Sequence, residues 1–159
     1  MSRIVVIDSS PLIGLALVGG LECLPEIFGT VFLPETVKQE VLPGKNAPGE
    51  TAISHAIDTG WITLWPAPIL PMLDIDLDVG ETDCINIALG HSDKVLLIMD
   101  ERAGRSVAKE KGLIVTGTAA IIGLAKKRGL ISSTKVSLRL IMKSKSSRMT
   151  KKKVEESLT

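Results

Sequence analysis

The stretch Ile4-Val5-Val6-Ile7-Asp8-Ser9-Ser10-Pro11-Leu12 constrains this chain more than any other. Four consecutive β-branched apolar residues make a short strand buried on both faces, which is the pattern of a central strand in a parallel sheet. The run ends in a carboxylate. Asp8 then stands at the carboxyl end of the strand, ahead of two hydroxyl residues and a proline suited to the first turn of a helix. Open α/β sheets place their ligands at that edge. Asp8 taken alone reads equally well as a helix-capping side chain. Its meaning depends on whether other acids converge on it.

The rest of the chain alternates strands and helices. Leu12 to Val18 reads as a short helix broken by Gly19-Gly20, and Leu21 to Ile27 adds another amphipathic turn or two. Thr30 to Leu33 reads as a second buried strand. Pro34 opens a helix with Val37 and Val41 on one side, leaving Glu40 near its C-terminal end, where the helix dipole disfavours an acid. Glu50 to Asp58 is a helix stopped by Gly60, and Trp61 to Trp65 a third strand. The segment from Pro66 to Asp78 holds three prolines and cannot be regular throughout. Its alternating Asp74, Asp76 and Asp78 look like part of a calcium loop, but the glycine and terminal Glu are not at the required offsets. Gly80 to Gly90 is a helix with Glu81 and Asp83 in its first turn, where acids suit the dipole. Val95 to Met99 repeats the opening pattern: a continuous apolar run ending in Asp100, here followed by Glu101. Arg102 to Lys111, Leu113 to Val115 and Ala119 to Arg128 complete the series as helix, strand and helix, with Thr116-Gly117-Thr118 as the last turn. The expected fold is therefore α/β: a three-layer α/β/α domain around a parallel sheet of four to five strands, all carboxyl ends on one edge.

A chain of 159 residues with 45% apolar content has the size of one domain and can bury a core without staples. Cys23 and Cys84 are too few and too far apart for a disulfide framework or zinc site. With no signal-peptide pattern and no apolar run long enough to span a bilayer, a cytoplasmic location is expected. Aromatic content of 3% and the absence of Tyr argue against a base-stacking platform. Charge is unevenly spread. Residues 1–125 carry 8 Lys+Arg against 16 Asp+Glu, a net −8, whereas residues 126–159 carry 11 against 2, a net +9. The division expected is a body over residues 1–130 and a basic helical extension of the same domain over 131–159. Lys143, Lys145, Arg148, Lys151, Lys152 and Lys153 in that extension are candidate contacts for a polyanion such as RNA.

Two buried strands ending in Asp8 and Asp100, with helices carrying Glu40 and Asp83 toward the same edge, would gather several carboxylates. Like charges that close need compensation, and a hard divalent cation supplies it. Such a site suits phosphodiester hydrolysis without a Ser, His or Cys nucleophile.

These residues resemble the PIN-domain nucleases, and within them the compact prokaryotic branch described only as a domain of unknown function. The resemblance rests on Val-Ile-Asp8-Ser-Ser-Pro-Leu, on Pro34 to Val41 with Glu40, on Gly80-Glu81-Thr-Asp83-Cys-Ile-Asn-Ile-Ala, on Leu-Leu-Ile-Met-Asp100-Glu-Arg and on Val115-Thr-Gly-Thr118. It implies Asp8, Glu40, Asp83 and Asp100 as catalytic acids, with Asp8, Asp83 and Asp100 holding Mg²⁺ or Mn²⁺. Ser9, Glu81, Glu101, Thr116 and Thr118 would support them, and Glu81 could share or take over the role of Asp83. In place of an acid that often lies two residues after Asp100, this chain has Arg102. The resemblance further implies a ribonuclease similar to the toxins of toxin-antitoxin pairs, acting as a homodimer through the apolar early helices near Leu12 to Leu24 and silenced by an antitoxin. Other readings of the same pattern are a PIN fold that binds RNA or protein without cutting, and a receiver or flavodoxin-like module. The receiver pattern wants a second acid where Ser9 stands and a Lys where Gly117 stands. A haloacid-dehalogenase phosphatase would need a second Asp two residues after Asp8.

Overall fold

The computed structural model describes residues 3–91 and 94–131. The basic extension and its six candidate RNA contacts lie outside the described residues.

Five parallel strands form one sheet in the order β3-β2-β1-β4-β5, with β1 Ile4–Ile7, β2 Val31–Leu33, β3 Ile62–Leu64, β4 Val95–Ile98 and β5 Ile114–Thr116. The two most continuously apolar runs occupy the interior positions, as a strand covered on both faces requires. β1 pairs with β4 along its whole length, from Ile4 opposite Val95 to Ile7 opposite Ile98. Val5, Val6, Ile7, Val95, Leu97 and Ile98 are all buried. This equal register brings both strands to an end at the same level, so Asp8 and Asp100 emerge on one edge.

Seven helices flank the sheet among the described residues: α1 Ser9–Leu17, α2 Cys23–Phe28, α3 Glu35–Val41, α4 Glu50–Asp58, α5 Val79–Gly90, α6 Arg102–Glu110 and α7 Thr118–Lys127. The chain moves from β1 outward to β2 and β3, then returns across the sheet to β4 and β5. Right-handed crossovers therefore set α1 to α4 on one face and α5 and α6 on the other, which yields three layers. The reversal of direction falls between β1 and β4. Their carboxyl ends form the crevice where α/β sheets hold ligands.

Helix boundaries follow local chemistry. α1 begins at Ser9, three residues ahead of the sequence expectation, because the backbone carbonyl of Asp8 already accepts the Leu12 N–H at 3.3 Å. Pro34 occupies the N-cap position of α3, where its missing N–H costs nothing. Gly60, at φ +82°, ends α4. The irregular segment before α5 is pinned by Asn86, a buried side chain whose Oδ1 accepts the backbone N–H groups of Met72 at 3.1 Å and Leu73 at 2.8 Å. One amide thus satisfies two donors that have no ladder to join.

Leu12, Leu15, Leu21 and Leu24 all belong to the core. The apolar character of the early helices is therefore largely consumed inside the protomer, leaving Ile13, Leu17 and Val18 half-buried.

Candidate active site

Asp8 sits at the carboxyl end of β1 and is only 2% exposed. Its backbone is extended, at the N-cap position of α1, yet its side chain makes no capping hydrogen bond. The capping reading therefore does not describe this carboxylate. Oδ1 is buried without a hydrogen-bond partner. Burial is the main cause that lifts the Asp8 carboxyl from 3.8 to about 7; the Ser9 backbone N–H opposes the rise, and the charges of Asp78, Glu81 and Glu40 add to it.

Those three acids arrive on two helices. α3 carries Glu40, and α5 crosses above the edge with Gly80 facing it. A Cβ on Gly80 would stand 3.3 Å from Asp8 Oδ1, 3.4 Å from Glu40 Oε2 and 3.2 Å from Val37 Cγ2. The bare glycine lets α5 close over Asp8 and Glu40 together. One turn along, Cys84 is fully buried with its Sγ 3.8 Å from the Ile7 carbonyl oxygen, and burial together with the surrounding acids drives its thiol well above the ordinary range. It is packing, with no thiolate to offer a metal.

Asp78, Glu81 and Asp83 divide the work at the start of α5. Asp78 is the N-cap, its Oδ1 accepting the Glu81 N–H at 2.8 Å. Glu81 is 5% exposed and packs against α6, where a Cβ on Gly104 would lie 2.9 Å from its Oε1. Burial, foremost, and then Asp78 raise the Glu81 carboxyl, with Glu101 contributing. Asp83 turns the other way: Thr36 of α3 donates its hydroxyl to Asp83 Oδ2 at 2.7 Å. Glu81 is thus the acid within α5 whose charge bears on Asp8, while Asp83 is oriented by α3.

Asp100 follows β4 on the solvent side of the same edge. Its Oδ1 accepts the Thr118 backbone N–H at 2.8 Å and its Oδ2 the Thr118 hydroxyl at 2.5 Å, so the carboxylate holds the start of α7. A Cβ on Gly117 would come within 2.8 Å of Asp100 Oδ1 and 2.9 Å of Arg105 Nη1. Glu101 occupies the N-cap position of α6 and is half-buried. Ser9 is buried at the start of α1, and the carbonyl of Thr116 accepts the Met99 N–H. Asp78, Glu81 and Glu40 are thus the acids whose charges bear on Asp8, and Glu101 bears on Glu81; Asp100 ends the neighbouring strand at the same edge, held by Thr118, as Asp83 is by Thr36.

Among the described residues, no three acidic, His or Cys side chains stand close enough to chelate an ion by themselves. The donors present are carboxylate oxygens, and Mg²⁺ characteristically uses only one or two of these while keeping several waters. An orphaned, buried Asp8 Oδ1 among acids fits such an ion.

Sequence reasoning did not single out Asp78, Thr36 or Arg105 as site residues. The first left a readable signal, since Asp78 and Glu81 have the spacing of a capping box. Thr36 and Arg105 left none, because their roles depend on contacts between separate elements.

The sequence profile of the family described as DUF3368, PIN domain, matches residues 4–159. No curated protein matches the chain. The match spans nearly the entire sequence and agrees with the five-stranded parallel sheet and its acid-lined edge, leaving no place for the receiver and dehalogenase alternatives. The chain belongs to the DUF3368 family of PIN domains, a nuclease-type fold.

Proposed function

We propose that this protein is a divalent-metal-dependent endoribonuclease that hydrolyses RNA phosphodiester bonds. The observation that carries the reading is Asp8 Oδ1, buried and without a partner at the switch point of the sheet, amid acids that raise the cost of its charge. A fold does not retain such a group for stability. When bound, Mg²⁺ or Mn²⁺ would polarise the scissile phosphate and acidify a water. Asp8 is the central ligand in this reading, with Glu40 and Glu81 flanking it and Asp78 beside Glu81. Asp100 and Asp83 act in fixed orientations, set by Thr118 and Thr36 respectively.

In this reading the basic extension, which follows the acids in sequence, gives RNA a polycationic contact through Lys143, Lys145, Arg148 and Lys151 to Lys153. We assign the protein to the toxin side of a toxin-antitoxin pair, acting in the cytoplasm as a homodimer. The dimer contact falls to Ile13, Leu17 and Val18, since the deeper leucines are consumed by the core.

The test is cleavage of single-stranded and hairpin RNA by the purified chain with Mg²⁺, with Mn²⁺ and with chelator, alongside Asp8→Asn. Metal-dependent cutting that the variant lacks supports the reading. RNA binding without cutting under every condition would leave a non-catalytic PIN module.

A further inference from the structure

Arg105 lies half-buried on α6, and its Nη1 donates to the carbonyl oxygen of Met99 at 2.9 Å. Met99 immediately precedes Asp100. Gly117 is approached by both side chains, with Arg105 Nη1 2.9 Å and Asp100 Oδ1 2.8 Å from the point its Cβ would occupy. The guanidinium therefore stands at the acid edge, between the end of β4 and the turn into α7. Its hydrogen bond goes to the Met99 carbonyl, while each Asp100 oxygen accepts one from Thr118.

A lone carbonyl acceptor does not require a cation. Guanidinium offers five N–H donors in a rigid fork, and the Met99 carbonyl takes one. That fork matches two oxygens of a phosphate, which an ammonium cannot match in the same way. An RNA backbone approaching this edge meets Asp8, Glu40, Asp78, Glu81 and Asp100, and one divalent ion offsets only part of that charge. Among the described residues, Arg105 is a basic side chain whose contacts place it beside one of these acids.

We propose that Arg105 is a substrate-binding residue that grips a non-bridging oxygen of the RNA phosphate at the acid edge, the Met99 carbonyl fixing the fork in position. This rests on the ribonuclease reading. It assigns a specific role to α6 that the acids cannot fill.

The test measures binding of a fluorescent single-stranded RNA oligonucleotide across a salt series in the Asp8→Asn background, where RNA is held without being cut. Arg105→Gln should weaken binding about tenfold, in line with the loss of a charge-assisted hydrogen bond, and lower the salt slope by about 0.7, the value for one single-strand phosphate contact. Arg105→Lys keeps the charge and should retain the slope while losing part of the affinity. In the chain with Asp8 intact, Arg105→Gln should raise KM and lower kcat, and Arg105→Lys should recover KM better than kcat. If Arg105→Gln melts lower but binds with unchanged affinity and slope, the residue is an anchor for the Met99 carbonyl and the proposal is overturned. Should that variant fail to fold, Arg105→Lys decides: full kcat and full affinity with ammonium in place of the fork overturn the proposal equally. A chain that cuts RNA while its Arg105→Gln variant does so equally well removes only this assignment. A chain that neither binds nor cuts RNA removes the ribonuclease reading along with it.

Discussion

Replacing Asp8 by Asn should make the metal-free protein more stable, and only above mildly acidic pH. The Asp8 carboxyl titrates at about 7 in the folded chain against 3.8 for an ordinary one. Between those values the folded state holds a proton that the unfolded state has released. Stability therefore falls as pH rises through this window, and the full cost is present above about pH 7. A displacement of that size corresponds to about 4 kcal/mol as an upper bound. Asp8 is 2% exposed, so solvent screening does not reduce the figure much. The amide of Asn brings two donors that need acceptors, which the surrounding carboxylates provide imperfectly, and about 1–3 kcal/mol of net stabilisation is expected. For a chain of this size that is a rise of roughly 3–10 °C in Tm at about pH 8. At about pH 4 the gain should disappear and the variant should melt no higher than the parent, because the folded parent then carries a protonated Asp8 and only the cost of the amide donors is left. Added Mg²⁺ should raise the Tm of the parent by mass action, by about 2.7 kcal/mol at a hundredfold excess over Kd, and leave the variant unchanged. The assay is a set of thermal melts of both proteins at the two pH values, with chelator and with metal. Equal Tm values at about pH 8 in chelator, or an equal gain at both pH values, would refute the reasoning.

Gly80→Ala adds a methyl 3.2–3.4 Å from Val37, Asp8 and Glu40; the helix gains about 0.5–1 kcal/mol, so Tm should stay within a few degrees while displaced carboxylates cut RNA cleavage roughly tenfold. Thr118→Val removes the hydroxyl that Asp100 Oδ2 accepts and keeps the backbone bond to Oδ1, so it should cost about 1 kcal/mol in chemical denaturation and lower kcat without raising KM. Asn86→Leu strands the N–H groups of Met72 and Leu73 and should cost about 2–3 kcal/mol, with those two amides exchanging hydrogen fastest in the segment before α5; unchanged protection there would show that Asn86 is not the anchor.

The sheet was legible because its two inner strands are continuous apolar runs, and β1 begins and ends where the β-branched residues do. α4 was legible to the residue, since Ile53 and Ala56 keep a strict apolar stripe and both are buried. The start of α1 was not. Its first turn is closed by the Asp8 backbone, and a backbone carbonyl leaves no trace in residue identity. The site divided in the same way. Asp8 and Asp100 could be placed from strand ends alone, but whether Asp8 caps α1 or faces a ligand depends on its rotamer. The structure removes the first option, because the side chain makes no capping bond and is buried beside Gly80. The different surroundings of Glu81 and Asp83 were likewise hidden, as they are set by partners on other elements: Gly104 for one and Thr36 for the other.

Three glycines explain how so many acids are brought together. Gly80 lies against Asp8 and Glu40, Gly104 against Glu81, and Gly117 against Asp100 and Arg105. In each case an ideal Cβ would come within 3.4 Å of a carboxylate oxygen, and at Gly104 and Gly117 within 3.0 Å. A methyl would force a shift at Gly104 and Gly117 and would press on Asp8 and Glu40 at Gly80. Ala in the same positions would favour the helical segments, by about 0.5–1 kcal/mol each in a helix interior such as that of α6. The chain instead leaves those methyls out and buries the carboxyls of Asp8 and Glu81, two choices that both reduce stability. Their shared consequence is that Asp8 and Glu81 lie out of solvent at the sheet edge while Glu40 and Asp100 stay exposed, an arrangement in which low dielectric would strengthen the hold of the buried pair on a cation. Local rules are broken here in the same direction by separate helices and a separate turn, and such agreement is expected of a site shaped by function.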